Sequence, residues 1–184
     1  MKRISLVVSS LEERGKPVDE FQTALVDLLP RLRRFARALA RDTAQADDVV
    51  QTAVERALRA RHQWQRGTRL DSWLYRIVRN TWIDEVRASG RRAKVFAPEA
   101  DGLVVGSDPL PVLEARIEVG RARQAMQRLP DEQREAIALV LVEGMGYAEA
   151  ADVLDIPLGT LTSRLLRGRA TLARMLAEKK REEL

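Results

Sequence analysis

Residues 147–169, YAEAADVLDIPLGTLTSRLLRGR, constrain the fold of this chain more than any other segment. Small and apolar side chains recur in the first half at helical spacing, and Pro157 cannot lie inside a continuing helix. A second helix is expected from residue 159 or 160, where it buries Leu161 and Leu165, four residues apart. Two short helices joined in this way are typical of a helix-turn-helix.

The second of these helices carries side chains suited to DNA. Hydroxyl and guanidinium groups lie away from its apolar positions, on Thr162, Ser163, Arg164, Arg167 and Arg169. A helix with such side chains can enter the major groove and contact phosphates and base edges. Two short helices separated by a proline also occur in helical domains that never touch DNA. The motif alone therefore leaves both interpretations open.

The charge balance favours an anionic partner without naming it. The chain of 184 residues has 32 basic and 27 acidic residues, which gives a formal net charge of +5. Only five of the basic residues are lysine. Arginine suits bidentate contacts to phosphate and guanine, although a codon bias in the source genome would give the same excess.

The sequence offers few groups for catalysis or metal binding. Without cysteine it has no disulfide framework, thiolate metal site or cysteine nucleophile. The single histidine, His62, cannot build a multi-histidine metal site and is expected to be an ordinary solvated residue. No P-loop, GxSxG or HExxH pattern is present. We therefore expect no enzymatic activity, no cofactor, no metal and no small-molecule substrate.

Targeting and membrane signals are also missing from the sequence. The apolar part of the N-terminal MKRISLVVSS is too short for a signal peptide. No later segment approaches the roughly 18 apolar residues of a membrane span. We expect a cytoplasmic protein.

Helical periodicity predicts three helices in the first half of the chain. Apolar residues recur over residues 21–39, with Pro30 marking a kink or a break. A second helix follows Asp42, which together with Gln45 resembles a capping box, and it carries a continuous apolar stripe over residues 46–58.

The third helix is expected over residues 70–88, after a polar loop at residues 63–69. It places Trp73 and Trp82 in a stripe with aliphatic side chains, so core packing is their expected role. Three helices with short connections make a small bundle.

From residue 95 to residue 112 prolines and glycines interrupt the periodicity, which predicts a linker. The charged residues of this linker are all acidic, namely Glu99, Asp101 and Asp108. Helical periodicity resumes near Val112, pauses at Pro130 and stops at Gly144 and Gly146.

The expected fold class is all-α, with two small helical domains joined by a flexible linker, the C-terminal one a helix-turn-helix. Its expected parts are an N-terminal extension (1–20), an N-terminal lobe (21–94), an acidic linker (95–112) and a C-terminal lobe (113–184).

The order of these features resembles the extracytoplasmic-function sigma factors, the smallest members of the sigma-70 family. Four segments over roughly residues 21–176 carry the resemblance. They are ADDVVQ at 46–51, WQRGTRLDSW at 64–73, LYRIVRN at 74–80 with Ile83 and Asp84, and residues 129–169. The resemblance implies a transcription initiation factor that binds core RNA polymerase and directs it to particular promoters, in a stress response.

For the second helix, the resemblance implies binding to polymerase. The candidate residues are Asp47, Asp48, Val50, Gln51 and Glu55. In this family the partner of that helix is the clamp coiled coil of the β′ subunit, and the C-terminal domain meets the β flap. An acidic and amide face can dock on a basic helix. Two acids near a helix N-terminus are also favoured there by the macrodipole, without any partner.

The resemblance further implies that the loop before the third helix, and the helix behind it, melt the minus-ten promoter element. The candidate residues are Trp64, Arg66, Arg69, Arg76, Arg79, Asn80 and Asp84. Capturing an unstacked base needs an aromatic face and a basic track for the backbone, and Trp64 in its polar loop is the better stacking candidate. Asn80 and Asp84 lie one helical turn apart and either hydrogen-bond to each other or stay solvated.

By the same resemblance, the C-terminal helix-turn-helix reads the minus-thirty-five element. The candidate residues are Thr160, Thr162, Ser163, Arg164, Leu166, Arg167 and Arg169, with Arg164 and Arg169 nearer to phosphate. Two positions depart from the family pattern. Thr162 stands where lysine or arginine is usual, which puts one contact in doubt, and Asp155 replaces the usual turn glycine. Aspartate tolerates positive φ better than most residues, so we expect the turn to survive.

Other readings stay open at this point. The linker acids fit either a nucleic-acid mimic in a polymerase channel or a solvated tether. The whole chain could be a sigma-like decoy that binds only protein, or a stand-alone repressor that binds a palindromic operator as a dimer. Members of the family are commonly held inactive by an anti-sigma factor. The resemblance is closest to general-stress types, in which a small helical anti-sigma factor bridges both lobes, and we expect one here.

Overall fold

A computed structural model describes residues 20–65, 67–92 and 110–182. Within these ranges the chain is helical and contains no strand, which confirms the all-α expectation. The helices are α1 (Glu20–Leu39), α2 (Thr43–Arg59), α3 (Leu70–Arg92), α4 (Leu110–Gln127), α5 (Asp131–Ile137), α6 (Tyr147–Leu154) and α7 (Leu158–Glu182). Several predictions concern residues outside these ranges, and the structure does not describe them. These residues are 1–19, Arg66 and the linker acids Glu99, Asp101 and Asp108.

In the N-terminal lobe, α1, α2 and α3 form a bundle around large buried side chains. These include Leu32, Phe35, Val49, Leu74 and Tyr75. The sequence predicts a kink or a break at Pro30, and α1 continues through it. Pro30 removes the usual donor to the carbonyl of Val26, and both residues are exposed, so water can reach the freed carbonyl.

The start of α2 has the capping geometry expected from the sequence. The Asp42 carboxylate accepts a hydrogen bond of 2.7 Å from the Gln45 amide. The Gln45 side chain reaches back to the Arg41 amide at 2.9 Å, one residue before the usual capping-box donor. Two amides at the helix start are therefore satisfied by side chains.

Three backbone features shape the C-terminal lobe. Helix α5 begins directly after Pro130 and continues into one π-helical turn, Ala138–Val142, before Gly144 ends it with a φ of 69°. Asp155 closes α6 in the left-handed conformation, with φ 55° and ψ 50°, as expected for the residue that replaces the turn glycine. Pro157 follows, and α7 begins at Leu158, one residue earlier than predicted.

The two lobes pack against each other. One continuous cluster of buried side chains includes Leu39 and Trp82 of the N-terminal lobe together with Ile137, Leu139 and Leu154 of the C-terminal lobe. Helix α3 lies against α6, and α1 lies against the π-helical turn. The sequence predicts two lobes on a tether, and their mutual packing is an addition to that prediction.

Arg134 lies at the centre of the junction between the lobes. Its guanidinium donates to the carbonyls of Leu39 at 2.9 Å and Leu129 at 3.1 Å, and pairs with Asp131 at 2.5 Å. It also stacks over the Trp82 ring, 5.7 Å from the ring centroid. Burial lowers the pKa of Arg134, while the Asp131 carboxylate acts against that shift.

Candidate functional site

Most of the residues predicted to read DNA lie on the outward face of α7. Exposed side chains there are Thr162, Ser163, Leu166, Arg167 and Arg169. The Thr162 and Ser163 hydroxyls donate to carbonyls of their own helix at 2.9 Å, and Arg167 Nε donates to the Ser163 carbonyl at 3.2 Å. These contacts set the polar groups along one accessible face.

Arg164 and Thr160 do not share this exposure. Arg164 lies on the same side of α7 as the buried Leu161 and Leu165, and its side chain is only 16% exposed. It pairs with Glu132 of α5 at 3.1 Å. Thr160 is half-buried. Arg164 is thus directed toward its own lobe, and its expected position nearer to phosphate stays a prediction.

The outward face of α7 is held in place by a close approach to α5. A Cβ atom at Gly168 would lie 2.6 Å from Ile137 Cδ1 and 3.3 Å from Gln133 Cβ. Because Ile137 is only 2% exposed, it has little room to move away. Glycine at this position thus sets the distance between the two helices.

Helix α2 presents most of the residues predicted to bind polymerase. Asp48 is exposed, whereas Asp47, Gln51 and Glu55 are half-buried. Gln51 donates to Glu55 at 3.3 Å. Val50 is fully buried in the bundle core, because the apolar stripe of α2 faces α1 and α3. Val50 therefore has no exposed surface that a partner could contact.

Trp64 packs against its own lobe. Its ring lies 5.7 Å from that of Phe21 and is half-buried, while Trp73 meets the same Phe21 ring edge-on at 6.1 Å. The buried Trp64 Nε1 has no hydrogen-bond partner among the described residues. An unsatisfied buried donor is unfavourable by about 1–3 kcal/mol, which offsets part of what the ring gains by packing.

Of the four arginines predicted to face minus-ten DNA, the three that the structure describes each bind an oxygen of the C-terminal lobe. Arg69 pairs with Glu149 at 2.6 Å. Arg76 donates to the Asp152 carbonyl at 2.7 Å. Arg79 forms two hydrogen bonds with Glu135, at 3.1 and 3.2 Å. The C-terminal lobe thus occupies the basic surface of α3.

Asn80 and Asp84 do not form the pair that their spacing allows. Asn80 is exposed. Asp84 accepts a hydrogen bond of 2.8 Å from Arg56, which also donates to Thr81 at 3.3 Å. Asp84 therefore joins α3 to α2.

Glu143 is the most completely buried carboxylate at the junction, and sequence reasoning missed it. Its side chain has no exposed area, and it forms two hydrogen bonds with Arg34, at 2.8 and 2.9 Å. Arg31 approaches it at 3.5 Å, and the Tyr75 hydroxyl donates to it at 2.6 Å. Its partners are at least 68 residues distant in sequence, so no local pattern could identify them.

Burial and charge shift three pKa values near these contacts. Hydrogen bonding from Arg69 lowers the pKa of Asp71. Burial raises the pKa of Glu135, although Arg79 opposes the shift. Burial and the hydrogen bond to Glu143 raise the pKa of Tyr75 far above its ordinary value, so its hydroxyl keeps its proton.

In the described parts of the chain, no group of three or more His, Cys, Asp or Glu side chains is arranged to hold a metal ion. Nor is any helix in those parts long and apolar enough to cross a membrane.

Comparison with known proteins identifies both lobes. Residues 25–92 match the family Sigma-70 region 2, and residues 120–172 match Sigma-70, region 4. The ECF RNA polymerase sigma factor EcfG of Rhodopseudomonas palustris is 33% identical over 159 residues, which span 86% of each chain. The chain belongs to the extracytoplasmic-function sigma factors.

Further relatives agree with this membership. The ECF sigma factor SigM of Mycobacterium tuberculosis is 38% identical over 146 residues, 79% of this chain and 71% of SigM. The structure of the sigma factor RpoE in complex with the anti-sigma factor NepR, from Bartonella quintana, has a TM-score of 0.75 and 29% identity over 87% of this chain and 98% of that one. As a sigma factor, the chain binds core RNA polymerase and directs promoter-specific initiation of transcription.

Proposed function

We propose that this sigma factor holds promoter DNA at two places while it is bound to core RNA polymerase. Helix α7 reads the minus-thirty-five element. The loop that contains Trp64 and the basic surface of α3 engage the minus-ten element. Polymerase performs the chemistry, and this chain supplies binding and positioning only.

The outward face of α7 is the observation that carries this proposal. It combines two hydroxyls and two guanidinium groups, all exposed and aligned along one side of a helix. Side chains at the start of such a helix reach base edges, and arginines further along reach phosphates. Thr162, Ser163 and Arg167 are the proposed base-reading residues, and Arg169 is the proposed phosphate contact.

Contact with polymerase is proposed for α2. Asp47, Asp48, Gln51 and Glu55 form an acidic and amide face whose inner side is fixed by the bundle core. A rigid helix with outward carboxylates suits a basic partner helix, because opposite charges speed association and fix orientation. The β′ clamp is the proposed partner of this face, and the β flap that of the C-terminal lobe.

For minus-ten melting we propose Trp64 with Arg69, Arg76 and Arg79. An unstacked base gains about 1–3 kcal/mol from stacking on an aromatic ring. Trp64 would have to leave Phe21 to offer both of its faces. The unsatisfied Nε1 makes that release easier than for a fully satisfied ring.

An anti-sigma factor is also part of the proposal. RpoE of Bartonella quintana is solved in complex with the anti-sigma factor NepR, and its structure matches 87% of this chain. We propose a partner of that kind here, and a cytoplasmic location, where polymerase and promoter DNA are found.

A run-off transcription assay with purified core polymerase and a genomic template tests the proposal. We expect the full chain to direct a small set of specific transcripts that core polymerase alone does not make. Core polymerase that binds the chain but gives no specific transcript on any template would contradict the proposal and favour the decoy interpretation.

A further inference from the structure

Leu166 is the most exposed large apolar side chain of α7. Its exposed fraction is 70%, against 51% for Leu158 and 39% for Leu176 on the same helix. A single exposed leucine needs no partner on most protein surfaces. Leu166, however, shares the outward face of α7 with Ser163 and Arg167, which are proposed to read bases. An apolar group on that face would meet the edge of a base pair when the helix enters the major groove.

The residues above and below Leu166 on this side of the helix carry little bulk. Gly159 lies about two turns before it, and a Cβ atom at Gly159 would meet nothing within 4 Å. Ala170 lies about one turn after it and is exposed. The Leu166 side chain therefore projects beyond its neighbours along the helix, and it can approach a base closely.

Thr162 lies one turn before Leu166 and adds a second apolar group to the same surface. Its hydroxyl donates to the Leu158 carbonyl at 2.9 Å. Because the hydroxyl hydrogen is used within the helix, Thr162 offers a partner its methyl group and an acceptor oxygen. Thr162 carries no charge, and residues four apart on a helix are neighbours. Thr162 and Leu166 thus form a small surface suited to an apolar group on a base.

We infer that Leu166, together with the Thr162 methyl group, reads the C5-methyl group of a thymine in the minus-thirty-five element. Among the four bases of DNA, thymine alone presents a methyl group in the major groove. Burying that methyl group against leucine removes apolar surface from water, which favours thymine over uracil. This inference rests on the proposed reading of the element by α7. It names the base that one position of the element requires and the group by which that base is recognised.

Replacement of thymine by deoxyuridine tests the inference at the level of one methyl group. Uracil keeps the base pair and the O4 acceptor of thymine and lacks only the methyl group. A promoter that the holoenzyme of core polymerase and this chain transcribes is prepared with each thymine of its minus-thirty-five element, on either strand, replaced singly. We expect at least one replacement to weaken holoenzyme binding about four-fold, as burial of one methyl group supplies. An element without thymine on either strand, or one in which no replacement weakens binding, overturns the inference.

The variant Leu166→Ala ties the effect to this side chain. We expect it to bind the thymine and uracil forms of the promoter equally, because its contact with the methyl group is gone. Leu176→Ala is the matched control, since it shortens another exposed leucine of α7 outside the proposed DNA face. It should keep the roughly four-fold preference for thymine. Alanine favours helix at both positions, so neither variant should disturb α7. A Leu166→Ala variant that keeps the full preference for thymine overturns the inference.

Scrambling the whole minus-thirty-five element separates this inference from the proposed function. If α7 reads the element, the scrambled promoter should lose most of its specific binding to the holoenzyme. Loss of binding on scrambling, without an effect of any deoxyuridine, overturns the methyl contact and leaves the proposed function standing. Equal binding to the intact and the scrambled promoter contradicts reading of the element by α7, and this inference with it.

Discussion

Single side chains fix the geometry of this protein at several points where helices meet. Gly168 sets the separation of α5 and α7, and Asp155 supplies the left-handed turn before α7. The role of Asp155 could be predicted from sequence, because its neighbours in the chain define the turn. The role of Gly168 could not, because it depends on Ile137, which approaches from another helix.

Substitution of Gly168 tests the close approach of α5 and α7. Gly168→Ala places a Cβ atom against Ile137 and Gln133, whereas Gly159→Ala meets nothing within 4 Å. Both variants gain helix propensity, so the difference between them reports mainly the packing conflict. We expect Gly168→Ala to be less stable than Gly159→Ala by about 1–3 kcal/mol in urea unfolding. Equal stability would show that α5 and α7 can move apart freely.

The lowered pKa of Asp71 should make the free energy of unfolding depend on pH. Hydrogen bonding from Arg69 lowers its pKa in the folded protein below the ordinary 3.8. Its contribution to stability is therefore present above that ordinary value and is lost as the pH falls through the lowered one. We expect wild type to exceed Asp71→Asn in unfolding free energy at neutral pH, and the gap to close in strong acid. A gap that does not change with pH would contradict this assignment.

At the scale of helices, local signals in the sequence predicted more than long-range ones. Three local signals each lie at a helix boundary in the structure. They are the pair Asp42 and Gln45, Pro130, and Pro157. At Pro30 the helix does not break, since α1 passes through it on an exposed side. The π-helical turn at Ala138–Val142 was not expected, because its apolar residues fit α-helical and π-helical spacing equally well.

The two sides of α7 predict different responses to salt. Arg169 is exposed and proposed to contact phosphate, whereas Arg164 pairs with Glu132. Binding of the holoenzyme to promoter DNA should be measured over a series of salt concentrations. We expect Arg169→Ala to reduce the slope of log K against log salt by about 1, and Arg164→Ala to leave it nearly unchanged. If Arg164→Ala reduces the slope as much, its side chain leaves Glu132 to meet DNA.

At the scale of the whole molecule, the packing of one lobe on the other is what sequence reasoning missed. Each lobe could be recognised because its helices carry a local apolar period. Besides a shared apolar cluster, the lobes are joined by charged pairs, such as Glu143 with Arg34 and Glu135 with Arg79, whose members are dozens of residues apart in sequence. A charged residue on a helix looks the same in the sequence whether its partner is water or another lobe. The sequence could therefore indicate which residues are candidates for DNA binding. It could not indicate that three of the candidate arginines form hydrogen bonds with the C-terminal lobe.

The central claim is that this sigma factor holds promoter DNA at two places. Run-off transcription from one promoter, with its elements intact or scrambled, tests this claim most directly. The holoenzyme made from core polymerase and this chain should transcribe the intact template. It should lose most of its transcript when either the minus-ten or the minus-thirty-five element is scrambled, because each lobe holds one of them. Full transcription from a template with either element scrambled would contradict the account.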